Sequence, residues 1–198
     1  MSAATTPGNV SVWNVPNALT VLRLVLVPVF AWALLAHPGS VGWRVLTAAI
    51  FVVAILTDFV DGKLARKYDL VTSFGKLADP IADKALTGMA FIGLSVLGEL
   101  WWWVTIVILV REWGITVLRF VVIRYGVIAA DRGGKAKTAL QALALTLYLL
   151  PFGMVPGLRW VHVVGEVLMV AAVVVTVLTG ANYVRSALRL RRSSRRAS

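Results

Sequence analysis

The chain has 198 residues, of which 59% are hydrophobic, and its mean hydropathy is +0.84. Soluble domains average about 45–50% apolar residues, so this excess, gathered in long blocks, indicates an integral membrane protein. The absence of cysteine excludes disulfides, thiolate metal sites and cysteine nucleophiles. The formal net charge is +11, and its basic residues fall mostly in loops and at the C-terminus. That distribution favours contact with anionic lipid over nucleic acid.

Six apolar blocks predict an all-α protein with six membrane-spanning helices. Each block is near the ~20 residues that a helix needs to cross ~30 Å of hydrocarbon, and an open sheet edge cannot be satisfied in lipid. We expect one membrane domain over 1–188 and a basic tail at 189–198 that is disordered or lies on anionic headgroups. The blocks lie at about 18–36, 43–65, 80–98, 101–125, 137–152 and 160–188.

Basic residues predict the orientation of these helices. Most lie after the second and fourth blocks and in the tail, whereas the opposite loops offer only Arg44 and Arg159. By the positive-inside rule, both termini are expected to be cytoplasmic. We expect a multi-pass protein of the plasma membrane. Trp43, Trp101 and Trp160 then lie at the outer ends, where indoles favour the interface.

Four aspartates near the cytoplasmic ends of the second and third helices form the main candidate site. Asp58 and Asp61 are three residues apart, and Asp79 and Asp83 are four apart, so each pair shares a helix face. A short loop makes the two helices antiparallel neighbours, on which four carboxylates can converge. Such acids are costly and repel each other without a cation between them. Oxygen ligands favour hard ions such as Mg²⁺, Mn²⁺ or Ca²⁺; the alternative is pairing with nearby lysines and arginines.

Small residues accompany the acids. Gly62 and Ala65 leave space for a ligand to approach the backbone, although helix–helix packing is an alternative. Arg66 follows one turn after Gly62, and its planar guanidinium suits a phosphate. The histidines, His37 and His162, map to the outer side, so any general base at this site must be a carboxylate.

The motif D-x2-D-G-x2-A-R-x8-G-x3-D-x3-D over 58–83 resembles the signature of the CDP-alcohol phosphotransferases, and every signature position is filled. The resemblance implies a six-helix membrane fold, usually homodimeric, that transfers a phosphatidyl or similar group from a CDP-linked donor to an alcohol. It also implies two divalent ions, Mg²⁺ or Mn²⁺, at a cytoplasmic active site. The implied metal ligands are Asp58, Asp61, Asp79 and Asp83, with Asp83 also the general base, and the implied donor contacts are Asp61, Gly62, Ala65, Arg66 and Gly75.

A set of cations predicts a site for an acidic acceptor. Arg111 lies within the fourth helix, where a cation is costly, and Arg119 is about two turns further on the expected same face. Glu112 is an awkward partner for Arg111 because adjacent helical residues do not face each other. Lys135 and Lys137 lie in a glycine-containing segment, although Lys137 could simply extend to the interface.

Together with Arg23 in the first helix, these cations resemble the glycerophosphate-using branch of the family. The resemblance implies CDP-diacylglycerol as the donor and sn-glycerol 3-phosphate as the acceptor, whose phosphate Arg111, Arg119 and Lys135 hold with help from Arg23 and Lys137. Sister enzymes that use inositol phosphate, inositol, serine or phosphatidylglycerol remain alternatives. A cation transporter is disfavoured, because the acids lie at one face and no internal repeat is seen.

Overall fold

The computed structural model describes the backbone of residues 15–67, 73–122 and 132–197, and the side chains of 17–58, 81–120 and 134–190. Apart from loops, this part of the chain is helical and has no β-strand. The all-α class and the six helices predicted from the apolar blocks are therefore confirmed. The helices are α1 (Val15–Ala36), α2 (Val41–Lys67), α3 (Ser73–Val96), α4 (Trp102–Val122), α5 (Arg132–Leu149) and α6 (Arg159–Ala197).

Three of the described helices are long and apolar enough to cross a membrane. They are Asn17–Ala36 in α1, Val41–Asp58 in α2 and Arg159–Leu190 in α6, with mean hydropathies of 2.2, 1.7 and 2.4. Large apolar side chains such as Val110 and Val167 are exposed on the helices, as expected where lipid rather than water surrounds them. The chain is therefore a membrane protein. It stays a prediction that α3, α4 and α5 also cross the membrane and that both termini lie on the cytoplasmic side.

Helix α1 is the element that holds α2 and α3 together. It packs extensively against both, whereas α2 and α3 contact each other only briefly in the described residues. Phe30 of α1 and Phe51 of α2 are fully buried in this packing, with ring centroids 5.8 Å apart. On the other side of the molecule, α5 packs along α6, and α4 lies against α3 and α6. Because lipid gives no hydrophobic drive between helices, van der Waals packing of this kind must fix their positions.

The turn after α3 fixes an ion pair at the end of the bundle away from the aspartates. Gly98 has a φ of 73°, and the N–H of Glu99 donates to the carbonyl of Leu94 at 3.0 Å, which is a Schellman-type helix end. Arg44 of α2 donates to both oxygens of Glu99, at 3.0 and 2.6 Å, and to the carbonyl of Tyr148 at 2.7 Å. This network ties α2, the α3–α4 turn and α5 together.

Two helix ends differ from the sequence expectation. Helix α3 begins at Ser73, seven residues before the expected start at Pro80, because the lysine, leucine and alanine before Asp79 favour helix. Helix α6 continues to Ala197, in place of the disorder that we expected for 189–198. Its last turns are rich in alanine, leucine and arginine and contain no glycine or proline, which favours continuation. Binding of this tail to anionic headgroups stays a prediction.

Candidate active site

A cavity opens between α2, α3, α4 and α5, and charged side chains from all four helices line it. Its volume is about 80 Å³, enough for several water molecules or a hydrated ion. The cavity therefore brings acids and bases from distant parts of the chain to one place. Its charged lining residues are Asp58, Asp83, Lys84, Glu112 and Lys137, and its polar ones include Thr87, Thr138 and Gln141.

Asp58, the first aspartate of the motif, is paired with Arg23. The guanidinium of Arg23 donates to the Asp58 carboxylate from α1, and Arg23 itself is 1% exposed. A buried guanidinium needs such a counter-charge. The Asp58 side chain remains 42% exposed, so it also faces the cavity. The structure thus places Arg23 beside the aspartates, and its predicted contact with an acceptor phosphate would have to be made from this position.

Asp83 enters the same cavity from α3. It lies within electrostatic range of two like charges, Asp58 and Glu112, and of two cations, Arg23 and Lys137. Carboxylates that share a cavity repel each other unless a cation lies among them. Hard oxygen donors of this kind fit Mg²⁺ or Mn²⁺. The geometry of the two described aspartates is therefore compatible with the divalent-ion site that the motif implies.

The rest of the motif falls outside the described side chains. The backbones of α2 and α3 carry both aspartate pairs, so the pairs lie on two helices as predicted. Among the described side chains there is no group of three or more potential metal-binding residues, since only two of the four aspartates belong to that part. The roles assigned from the motif stay predictions for the residues outside it, which are Asp61, Gly62, Ala65, Arg66, Gly75 and Asp79.

Glu112 is a cavity residue whose importance the sequence analysis missed. Its carboxylate accepts hydrogen bonds from the ammonium of Lys137 and from Nη1 of Arg111 at 3.2 Å. The expectation that Arg111 and Glu112 would not pair is wrong, because the long arginine side chain bends back to its neighbour. Glu99, in the turn after α3, pairs with Arg44 of α2 and not with Arg111. An acid inside a predicted membrane helix is costly, and that signal could have identified Glu112.

Lys84 is a second cavity residue that was not singled out. It follows Asp83 directly on α3, and its ammonium lies 5.6 Å from the centroid of the Trp113 ring on α4. Ammonium groups at this distance from an indole face are attracted by the ring. The contact links α3 to α4 at the rim of the cavity.

The predicted acceptor cations divide between two environments. Lys137 is 5% exposed and lines the cavity, and Arg111 adjoins it through Glu112. Arg119 and Lys135 are exposed. Arg111 donates to Thr179 of α6. That Arg119 contributes to the same site stays a prediction, and eight residues turn a helix by about 80° more than two full turns.

Comparison with known proteins gives a consistent result. The family model for CDP-alcohol phosphatidyltransferase matches residues 13–178. A probable phosphatidylglycerophosphate synthase from Mycobacterium tuberculosis (strain ATCC 25618 / H37Rv) is 52% identical over 183 residues, covering 92% of this chain and 85% of the relative. Two proteins named CDP-diacylglycerol--glycerol-3-phosphate 3-phosphatidyltransferase are also similar. The one from Rickettsia felis is 38% identical over 174 residues (87% of this chain, 94% of the relative). The one from Bacillus subtilis (strain 168) is 41% identical over 157 residues (72% and 81%). The chain therefore belongs to the CDP-alcohol phosphatidyltransferase family.

Proposed function

We propose that this protein transfers the phosphatidyl group of CDP-diacylglycerol to sn-glycerol 3-phosphate, with release of CMP and formation of phosphatidylglycerophosphate. The observation that carries the proposal is the meeting of Asp58, Asp83 and Lys137 at one cavity in a chain of this family. The names of the relatives from Rickettsia felis and Bacillus subtilis specify the same donor and acceptor. This reaction needs carboxylates that bind a metal ion and a cation that binds the phosphate of the acceptor, and the cavity contains both kinds of side chain.

The donor half of the site is assigned to the motif. Asp58, Asp61, Asp79 and Asp83 would hold two divalent ions, Mg²⁺ or Mn²⁺, which when bound polarise the donor's pyrophosphate. Arg23 holds Asp58 in place from α1. The remaining contacts with the CDP moiety are assigned to Asp61, Gly62, Ala65, Arg66 and Gly75, where small residues permit close approach and the guanidinium stabilises charge that develops on CMP.

Asp83 is assigned as the general base. The hydroxyl oxygen of the acceptor forms a bond to the phosphorus of the phosphatidyl group, and the bond from that phosphorus to the oxygen of CMP breaks. The hydroxyl proton must leave as the new bond forms. Asp83 lines the cavity, and neither histidine does among the described residues, so a carboxylate supplies this step.

The acceptor phosphate is assigned to the cations on the α4 and α5 side. Lys137 is the cation already in the cavity wall, and Arg111 adjoins it. Arg119 and Lys135 are exposed and would complete the site from the ends of α4 and α5, while Arg23 would reach it only from its pair with Asp58. Both Lys137 and Arg111 contact Glu112, so an entering phosphate competes with this carboxylate for them.

We place the reaction at the cytoplasmic face of the plasma membrane, because the basic loops and tail favour that side for the ends of the helices that carry the aspartates. The acyl chains of the donor can then stay in the bilayer while its headgroup enters the cavity. We also propose a homodimer, on the basis of family membership.

The proposal is tested with purified protein, CDP-diacylglycerol and a panel of labelled acceptors. Glycerol 3-phosphate should give a lipid-soluble product together with CMP, whereas glycerol and free inositol should give neither, because they lack the phosphate that the cations bind. Good conversion of inositol phosphate with none of glycerol 3-phosphate would overturn the proposed acceptor. CMP release with no lipid product from any acceptor would indicate hydrolysis and overturn the transferase assignment.

A further inference from the structure

Arg111 lies with its guanidinium against α6 rather than in open space. Its Nη2 donates to the hydroxyl of Thr179 at 2.9 Å, and its Nη1 reaches the Glu112 carboxylate at 3.2 Å. The side chain is 16% exposed, so these two contacts, more than water, fix its direction. Arg111 therefore spans the space between α6 and the acid that borders the cavity.

Thr179 is oriented by its own helix to accept from Arg111. The Thr179 hydroxyl donates to the carbonyl of Val175 at 2.7 Å, which uses the one proton that a hydroxyl carries. Its oxygen can then only accept, and a guanidinium can only donate. A valine would keep the shape of this residue and remove the acceptor.

Gly180, the next residue, gives the stem of Arg111 room to lie on α6. A Cβ at this position would be 3.1 Å from Cγ of Arg111 and 3.3 Å from its Nε, so a side chain here would push the arginine aside. Glycine inside a helix is less stable than alanine, and close approach of another group is a common reason for its presence.

We propose that Thr179 and Gly180 are positioning residues for acceptor binding, which hold the Arg111 guanidinium beside Glu112 and the cavity. Neither residue belongs to the described cavity wall, so α6 contributes to the acceptor site through Arg111. This inference rests on the proposed function, in which Arg111 binds the acceptor phosphate.

The first test compares two glycine substitutions on α6 in the purified full chain. Gly180→Ala should raise the KM for glycerol 3-phosphate about threefold to tenfold, because it displaces a charged hydrogen-bond donor. The KM for CDP-diacylglycerol should not change, and the Tm should stay the same or rise, since alanine favours helix. Gly165→Ala is the matched control: its Cβ would lie 3.2 Å from Cβ of Leu147, a crowded position that involves no predicted site residue, and it should leave the acceptor KM unchanged.

The second test separates positioning from a general structural role. Thr179→Val should raise the acceptor KM by a factor similar to that of Gly180→Ala, and Thr179→Ser, which keeps the hydroxyl, should not. In an Arg111→Ala background, Thr179→Val should have no further effect, because a residue that acts only through Arg111 is silent without it.

The outcomes distinguish this inference from the function on which it rests. If Arg111→Ala raises the acceptor KM while Gly180→Ala and Thr179→Val leave it within about twofold, the positioning role is overturned and the proposed function stands. If Arg111→Ala has no effect on the acceptor KM, the positioning role is overturned as well. If the wild-type chain uses a different phosphorylated alcohol, the proposed acceptor is overturned. The KM values of Arg111→Ala, Gly180→Ala and Thr179→Val for that alcohol then decide whether α6 positions Arg111.

Discussion

Two groups of ion pairs lie at opposite ends of the helix bundle. They differ in how evenly the acidic and basic side chains are matched. On α2, Arg44 and Asp58 are 14 residues apart, or about 21 Å. At the first end, Arg44 donates to both oxygens of Glu99 and to the Tyr148 carbonyl, so the carboxylate is matched by one guanidinium. At the second end, the Glu112 carboxylate forms ion pairs with both Arg111 and Lys137. Asp83 forms no ion pair with any side chain that the structure describes.

The difference separates a structural network from a binding site. The Arg44 network pairs one guanidinium with one carboxylate and joins three parts of the fold. The cavity group is open: Asp58 is paired yet 42% exposed, and the acids and cations around it face a common space. Charges that are buried at a cost and left available to a ligand are the mark of a functional site in a membrane protein.

The largest effect is expected for Asp83→Asn. The substitution keeps the shape of the side chain but removes its ability to accept a proton, and a general base typically contributes about 10²–10⁴-fold to a rate. We expect kcat for lipid product to fall by at least about 100-fold, with the Tm nearly unchanged. A variant that keeps more than about a tenth of the wild-type rate would show that Asp83 is not the base.

A smaller effect is expected for the exposed acceptor cations. Arg119→Ala and Lys135→Ala should each raise the KM for glycerol 3-phosphate about tenfold, since a charged hydrogen bond to a phosphate contributes about 1.5–3 kcal/mol. The KM for CDP-diacylglycerol is the internal control and should stay the same. An equal rise in both KM values would point to a general loss of surface charge instead of an acceptor site.

The smallest effect on activity is expected at the opposite end of the bundle. Arg44→Ala leaves Glu99 without its partner, and breaking a buried pair costs about 3–5 kcal/mol of stability, less here because Glu99 is 28% exposed. We expect a lower Tm and an acceptor KM close to that of the wild type. The double variant Arg44→Ala, Glu99→Gln removes both charges and should recover part of the Tm. If Arg44→Ala instead changed the acceptor KM with no loss of Tm, the distinction between the two groups would fail.

Much of the fold could be predicted from the sequence, and so could two of the three acids that line the cavity. Apolar blocks locate the six helices because a helix in lipid needs a long apolar run. Asp58 and Asp83 were identified because acids at this depth are costly and because their spacing with neighbouring acids is helical. Both inferences use local patterns, which sequence contains directly.

The remaining features depend on how the helices pack, and spacing alone does not determine that. The contact of Arg23 with Asp58 follows from the position of α1 against α2 and α3. The contact of Arg111 with Thr179 requires α4 to lie on α6. Glu112 was missed for a different reason: it was weighed only as a partner for Arg111 and set aside on helical spacing, whereas the arginine side chain bends back to reach it.

Removal of divalent metal from the purified protein tests the central claim most directly. With CDP-diacylglycerol and labelled glycerol 3-phosphate, we expect equal amounts of lipid-soluble label and CMP, loss of both products in EDTA, and recovery of both when Mg²⁺ or Mn²⁺ is added in excess. Asp83→Asn should remain inactive after the metal is restored, because this variant lacks both the assigned base and one of the assigned metal ligands. Near-normal formation of lipid product in EDTA would contradict the assignment of the aspartate cavity as a metal-dependent phosphatidyl-transfer site.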